Sequence, residues 1–178
     1  YMNWYMREWA GVDAMTGRPL WFVVDQETGE KTVTGDYNKA TRQLLDAVPT
    51  PKVNGALGSN FSWKGFSINA NFTFATGAMV YNSARAGALD RDAGRTTQPP
   101  MKLHNGWNRW QKPGDKATHP QLIAGGNNGA DNESTRYLES GDYFKLKSLS
   151  VSYALPEKLL NPLSVKSARI TLGGENLF

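Results

Sequence analysis

Val53 to Trp63 and Phe66 to Thr76 are two runs in which apolar and polar residues alternate, and only Lys64-Gly65 separates them. Folding the chain about that turn sets Trp63 opposite Phe66, Phe61 opposite Ile68, Leu57 opposite Phe72 and Gly55 opposite Phe74 on one face. The other face sets Ser62 against Ser67, Asn60 against Asn69, Gly58 against Asn71 and Ala56 against Thr73. Turn and pattern specify one register, because a slip of one residue would put asparagines among aromatics. The result is an antiparallel sheet with one oily and one wet side. Each arm has 11 residues, enough for a tilted strand of ~9–11 residues to cross a bilayer. The oily face carries aromatics near both ends, as girdled barrels do, whereas a strand of a soluble sandwich more often runs to ~5–6 residues.

Bulk composition is compatible with strand crossing. Hydrophobic residues make up 39% of the 178, charged residues 20%, and the mean hydropathy is -0.53. A crossing strand shows lipid only every second residue, so its polar half dilutes such averages. No apolar stretch approaches the ~20 residues of a membrane helix. The chain has no cysteine, which removes disulfides, thiolate metal sites and cysteine nucleophiles. A formal charge of only +4, with no basic run, excludes nucleic acid as an expected partner. Tyr1 is not an initiator methionine and no signal segment precedes the strands, so the chain reads as a mature piece of something longer.

Elsewhere the pattern is patchier. Tyr1 to Ala10 is extended in character, and Leu20 to Asp25 with Lys31 to Thr34 reads as a small hairpin around Glu27-Thr28-Gly29-Glu30. Thr41 to Ala47 suits a helical turn, ended by Pro49 and Pro51. A polar, Gly-rich stretch then follows Thr76 as far as about Gly141, much longer than the usual connection, which signals a functional loop or a missed element. Alternation returns at Tyr143 to Leu155, where Leu149, Val151, Tyr153 and Leu155 share one parity and Phe144 and Leu146 the other. A β-bulge near Lys147 or Ser148 reconciles them. Beyond a connector, Ala168, Ile170 and Leu172 alternate with Arg169 and Thr171. Connections thus run short, long, short, as in outer-membrane barrels with short periplasmic turns and long external loops. The expected layout is an extracellular loop region with a small β-hairpin over 1–52, a transmembrane β-hairpin over 53–76, a long extracellular loop over 77–142, and a transmembrane strand pair over 143–178 with a periplasmic connector at 156–166. Four strong strands cannot close a barrel, whose minimum is ~8. The lipid-facing set is Phe61, Trp63, Phe66, Ile68, Phe72, Phe74, Leu149, Val151, Tyr153, Ile170 and Leu172.

Five words of the chain occur in order: Tyr5 to Gly17 (YMREWAGVDAMTG), Pro51 to Phe74 (PKVNGALGSNFSWKGFSINANFTF), Asn108 to Asp115 (NRWQKPGD), Arg136 to Pro156 (RYLESGDYFKLKSLSVSYALP) and Ala168 to Phe178 (ARITLGGENLF). In these the chain resembles the C-terminal barrel region of the SusC/RagA-like TonB-linked outer-membrane transporters of Bacteroidetes. The resemblance implies an all-β fold: an antiparallel segment of a large transmembrane β-barrel of about 22 strands with long extracellular loops. It also implies location in the outer membrane, contact with outer-membrane lipid, import of glycan (oligosaccharide) or peptide, a SusD-like surface lipoprotein as partner, and energy from TonB through a plug missing from this chain. The family continues past the GENLF word, so truncation at Phe178 is the expectation.

Candidate chemistry is sparse. His104 and His119 are the two histidines; without a carboxylate partner or metal-ligand spacing they read as solvated loop residues. Asp90 with Asp92, or Asp131 with Glu133, could form a glycosidase dyad only at ~5–9.5 Å across a sugar, and a polar loop is the plainer reading. Asn127 to Glu133 does not follow the calcium-loop spacing. No metal, cofactor or catalytic residue is expected. Trp107, Arg109 and Trp110 are the candidates for ligand or partner contact, since two indoles beside a guanidinium could stack on sugar rings or on a partner; packing of the long loop on itself is the alternative. The rival function from another class is a soluble or surface glycan-binding β-sandwich using Trp107 and Trp110, with the oily stripe as its core.

Overall fold

The structure, a computed structural model, describes residues 2–89, 102–123, 126 and 128–178. Among the described residues there are eleven strands: β1 (Tyr5–Arg7), β2 (Trp9–Val12), β3 (Pro19–Val24), β4 (Lys31–Thr34), β5 (Arg42–Leu44), β6 (Val53–Trp63), β7 (Phe66–Thr76), β8 (Met79–Tyr81), β9 (Leu138–Ser140), β10 (Tyr143–Ala154) and β11 (Arg169–Glu175). The named strands pair antiparallel throughout the two larger sheets. No helix among them is long and apolar enough to cross a membrane, which leaves crossing by strands open. The chain divides into two compact units, one of Tyr1–Pro49 with Val80–Glu139, the other of Thr50–Met79 with Ser140–Phe178.

The second unit is a four-stranded sheet in the order β11-β10-β7-β6. β6 and β7 pair along their whole length, from Val53 opposite Thr76 to Trp63 opposite Phe66. Lys64 and Gly65 both take positive φ, 46° and 89°, the type I′ geometry whose twist matches that of the flanking strands. A Cβ on Gly65 would come 3.2 Å from the Ala154 carbonyl oxygen, and the Gly65 carbonyl accepts the Ala154 amide at 2.9 Å. Glycine thus serves both the turn and its seat against β10. Along β10 the register with β7 shifts between Leu146 and Ser148. The bulge returns Phe144 and Leu146, opposite Phe74 and Phe72, to the face that also holds Leu149, Val151 and Tyr153. The connector after β10 holds a single helical turn, Glu157–Leu160, and a 3-10 turn, Asn161–Leu163.

The first unit is more than the small hairpin expected near the N-terminus. β3 and β4 do form that hairpin, with Phe22 opposite Val33, but β2 adds to it as a third strand. Thr41 to Ala47 is not a helical turn. Its central residues are β5, paired with β1 so that Met6 lies opposite Gln43, and the Leu45 amide and Ala47 carbonyl continue the ladder onto Trp4. A strand partner distant in sequence overrides a weak local helical preference. The core of this unit is Met6, Trp21, Tyr137 and Ala130, each at most 1% exposed. Trp21 meets Trp9 and Tyr37 edge-on at centroid distances of 5.6 and 5.4 Å. The buried Arg136 guanidinium donates to the Ala130 carbonyl and lies over Trp9 and Tyr137. Residues from the segments 1–49 and 80–139 therefore share one core, to which Ala130 and Tyr137 of the long polar segment contribute.

Candidate functional site

Two faces of the long sheet differ in chemistry row by row. On one, the register aligns Phe61 with Ile68 and Val151, and Trp63 with Phe66 and Tyr153. β11 adds Ile170 opposite Tyr153 and Leu172 opposite Val151. No Asp, Glu, Lys or Arg that the register pairs falls on this face in any of the four strands. Its side chains are open: Phe61 is 59% exposed, Trp63 60%, Ile170 63% and Leu172 79%. Phe72, Phe74, Leu149 and Tyr153 are half-buried among their neighbours, and Phe66, Ile68 and Val151 are exposed. Aromatics bracket the face. At the hairpin end Phe66 lies 4.4 Å from Tyr153, and at the other end Phe72 stacks on Phe144 at 5.3 Å. The Phe74 ring covers Gly55, where an added Cβ would come 2.9 Å from Phe74 Cζ. The face covers on the order of 600 Å² of sheet, at the upper end of the roughly 300–600 Å² of the largest apolar patch on a typical soluble monomer.

The reverse face is a ladder of small polar groups. Asn69 donates to Ser150 at 3.3 Å, Asn71 to Ser148 at 3.0 Å and Ser62 to Ser67 at 3.1 Å. Ser152 and Thr171 hydroxyls meet at 3.0 Å. These cross-strand pairs bind their own polar groups to one another, and leave a hollow of about 420 Å³ floored by Asn69, Asn71, Ser148, Ser150 and Glu175. At ~3.3 Å per residue an 11-residue strand spans about 36 Å. Tilted by about 45°, that is roughly 25 Å, the height of the apolar band of a membrane barrel.

Trp107, Arg109 and Trp110 lie in the first unit, and each is half-buried. Trp110 donates its indole N–H to the Ala14 carbonyl at 2.8 Å and its ring lies across Gly17, whose φ is +68° and whose missing Cβ would overlap that ring. Arg109 donates to the Pro120 carbonyl at 3.0 Å. Trp107 sits between other groups: Arg85 lies 4.6 Å above its ring, His119 is 5.0 Å away and His104 5.2 Å. The two indoles thus engage different partners and do not make one platform. His119 is a correction to the sequence reading: it is 1% exposed, with Thr118 Oγ1 at 2.9 Å from Nδ1, because the 108–119 turn folds it under Trp107. His104 is exposed.

Of the carboxylates named as a possible dyad, Glu133 is engaged in structure. Glu133 pairs with Arg42 at 3.5 Å and its carbonyl accepts the Tyr37 hydroxyl. Asp90 and Asp92 lie outside the described residues. Asn82 donates to Glu139, and Arg85 pairs with the same carboxylate at 2.6 Å; these hydrogen bonds hold its pKa below the ordinary glutamate value. Asp13 is likewise lowered, first by the Thr16 hydroxyl and then by the Met15 amide. A polar cleft of about 310 Å³ is lined by Asp36, Tyr37, Asn38, Asn128 and Asn132. No group of three or more metal-ligating side chains comes together among the described residues.

No family model matches the chain. It is 25% identical over 146 residues to the TonB-dependent receptor P3 of Formosa agariphila, a match that covers 80% of this chain and 13% of that protein. The solved RagAB peptide transporter is similar over 99% of this chain and 19% of its own, with 28% identity and a TM-score of 0.72. The RagAB peptide importer in its open-open state gives a TM-score of 0.66 at the same identity. The chain spans less than a fifth of the length of these relatives, which are a receptor and transporters rather than enzymes. Over the stretch it spans, with an antiparallel sheet that is apolar on one face and polar on the other, the chain is similar to the SusC/RagA-like TonB-dependent transporters.

Proposed function

We propose that the chain supplies barrel wall to a TonB-dependent transporter in the cell outer membrane, one that imports oligosaccharide or peptide together with a SusD-like surface lipoprotein. The observation that carries this reading is the apolar face, continuous across four strands, three of them of crossing length, and backed by a polar face. In the complete barrel, of about 22 strands, the residues Phe61, Trp63, Phe66, Ile68, Phe72, Phe74, Leu149, Val151, Tyr153, Ile170 and Leu172 meet lipid, and the Asn/Ser ladder borders the lumen. TonB acts through a plug that is not among these residues. Segments 1–52 and 77–142 lie outside the cell, and the Lys64-Gly65 turn and the 156–166 connector lie in the periplasm. Trp107, Arg109 and Trp110 hold the external segment in shape, since their polar atoms and rings are already engaged. The similarity to RagAB, a peptide transporter, favours peptide as the cargo class.

The test uses spin labels at Phe72 and Asn71, adjacent in sequence and opposite in face, placed one at a time in the complete gene product in lipid vesicles. Expected is high oxygen access at Phe72 and high access of a polar relaxant at Asn71. Shielding of Phe72 from both probes would mean a protein-covered core and would end the barrel reading.

A further inference from the structure

The short-turn end of the long sheet carries a feature that strand crossing alone does not require. The connector from Pro156 to Lys166 has its Leu160 side chain buried, but Leu159 is 61% exposed and Val165 41% exposed. Lys158 and Lys166, the neighbours of these two apolar residues in sequence, are exposed as well. At the hairpin tip the exposed Lys64 extends its ammonium 4.9 Å from the Trp63 ring. Tip and connector are at the same end of the sheet, because the Ala154 amide bonds the Gly65 carbonyl and the Leu155 amide bonds the Ala168 carbonyl. Among the described residues no carboxylate pairs with any of the three lysines. Glu157 is the one acidic residue of the connector, so Lys64, Lys158 and Lys166 leave it with an excess of positive charge. Arg169 lies opposite Ala154, on the polar side of the sheet, and is not part of this rim.

Leu159 and Val165 are two exposed apolar residues on one short connector that also carries two exposed lysines. Apolar side chains beside lysines, at the same end of the sheet as the aromatic row of Trp63, Phe66 and Tyr153, suit the boundary between acyl chains and headgroups. There an alkyl side chain enters the apolar layer while an ammonium group reaches the phosphates. We infer that the 156–166 connector is an interfacial anchor: Leu159 and Val165 insert at the acyl boundary, and Lys64, Lys158 and Lys166 bind the phosphates of anionic phospholipid. This rests on the barrel reading, which supplies the adjoining lipid, and adds a lipid class and a residue set to it. Positive charge at a bilayer surface favours anionic over zwitterionic lipid, so the preference is the measurable consequence.

The experiment takes the complete gene product into nanodiscs of phosphatidylcholine alone, or of phosphatidylcholine and phosphatidylglycerol in equal parts, with spin labels at Leu159 and, separately, at Phe72. Expected is oxygen access at Leu159 intermediate between that at Phe72 and that of a water-exposed loop. Native mass spectrometry of the K64Q/K158Q/K166Q variant should then show roughly a hundredfold less phosphatidylglycerol retained relative to phosphatidylcholine, at about 1 kcal/mol per lysine. K145Q, on the polar face, should leave the ratio unchanged. Lipid exposure at Phe72 with a water-like Leu159 overturns the anchor and leaves the barrel standing. An unchanged lipid ratio in the triple variant overturns the phosphate contacts. A Phe72 label shielded from oxygen removes the barrel reading and the anchor with it.

Discussion

Replacing Gly17 by alanine separates two costs that the structure places at one residue. Gly17 has φ +68°, and its added Cβ would meet the Trp110 ring, with Cγ at 2.9 Å and two ring carbons nearer still. Left-handed backbone costs an L-residue about 1–2 kcal/mol, and forcing a side chain into an occupied site adds about 1–3 kcal/mol. G17A should therefore cost about 2–5 kcal/mol. Gly106 is the internal control: its φ is +87° but nothing lies within 4 Å of its Cβ position, so G106A should cost only the backbone share, about 1–2 kcal/mol. Removing the ring with W110A also deletes the hydrogen bond to Ala14, but leaves room for the methyl group. In that background G17A should fall to the backbone share, a coupling of about 1–3 kcal/mol. Native-state hydrogen exchange in the complete gene product reads this locally, because the Gly114 amide bonds Ala14 O and the Gln121 amide bonds Gly17 O. Additivity of the two substitutions within about 0.5 kcal/mol would refute the seating of Trp110 on Gly17.

Two further outcomes test other parts of the molecule. Ala70 lies mid-strand on the oily face between Ser59 and Leu149, and Asn60 lies on the wet face; A70R should destabilise by about 2–4 kcal/mol in vesicles and N60R by less than about 1 kcal/mol, read as urea midpoints of the complete gene product, and equal costs would contradict the assignment of faces. Asn82 and Arg85 hold the Glu139 carboxyl below its ordinary pKa, so its contribution is present in full above the ordinary glutamate range and is lost as pH falls through the depressed folded value. The thermal stability of the wild type should therefore exceed that of E139Q near pH 7 and converge on it in acid; a gap that persists unchanged below about pH 3 would refute the linkage.

Much of the long sheet was legible because its information is local. Period-two alternation over two arms of 11 residues, joined by two turn residues, leaves one register that keeps asparagines apart from phenylalanines. Even the bulge at Lys147 could be anticipated, since Phe144 and Leu146 had the wrong parity for Leu149 and Val151. The first unit was not legible in this way. Its strands are three to six residues long, too short to show a period, and beyond the local β3–β4 hairpin the pairing of β1 with β5 joins segments well apart in sequence. Arg42–Leu44 became a strand because Tyr5–Arg7 offers it a ladder, and His119 became buried because Trp107 folds over it.

The residues proposed for ligand contact show the same division. Tryptophans and an arginine close in sequence identify groups able to stack, but cannot say which partner comes first. Ala14, 96 positions from Trp110, with Gly17 beside it, and Arg85, nearer in sequence to Trp107, take those surfaces up. By itself, then, the sequence determined the two-faced sheet, its register and its crossing length, because alternation and turn chemistry act between neighbours. Only the tertiary structure decided that residues 1–49 and 80–139 share a core, and that Trp107 and Trp110 serve different contacts. Long-range packing chooses among partners that local patterns leave equally open.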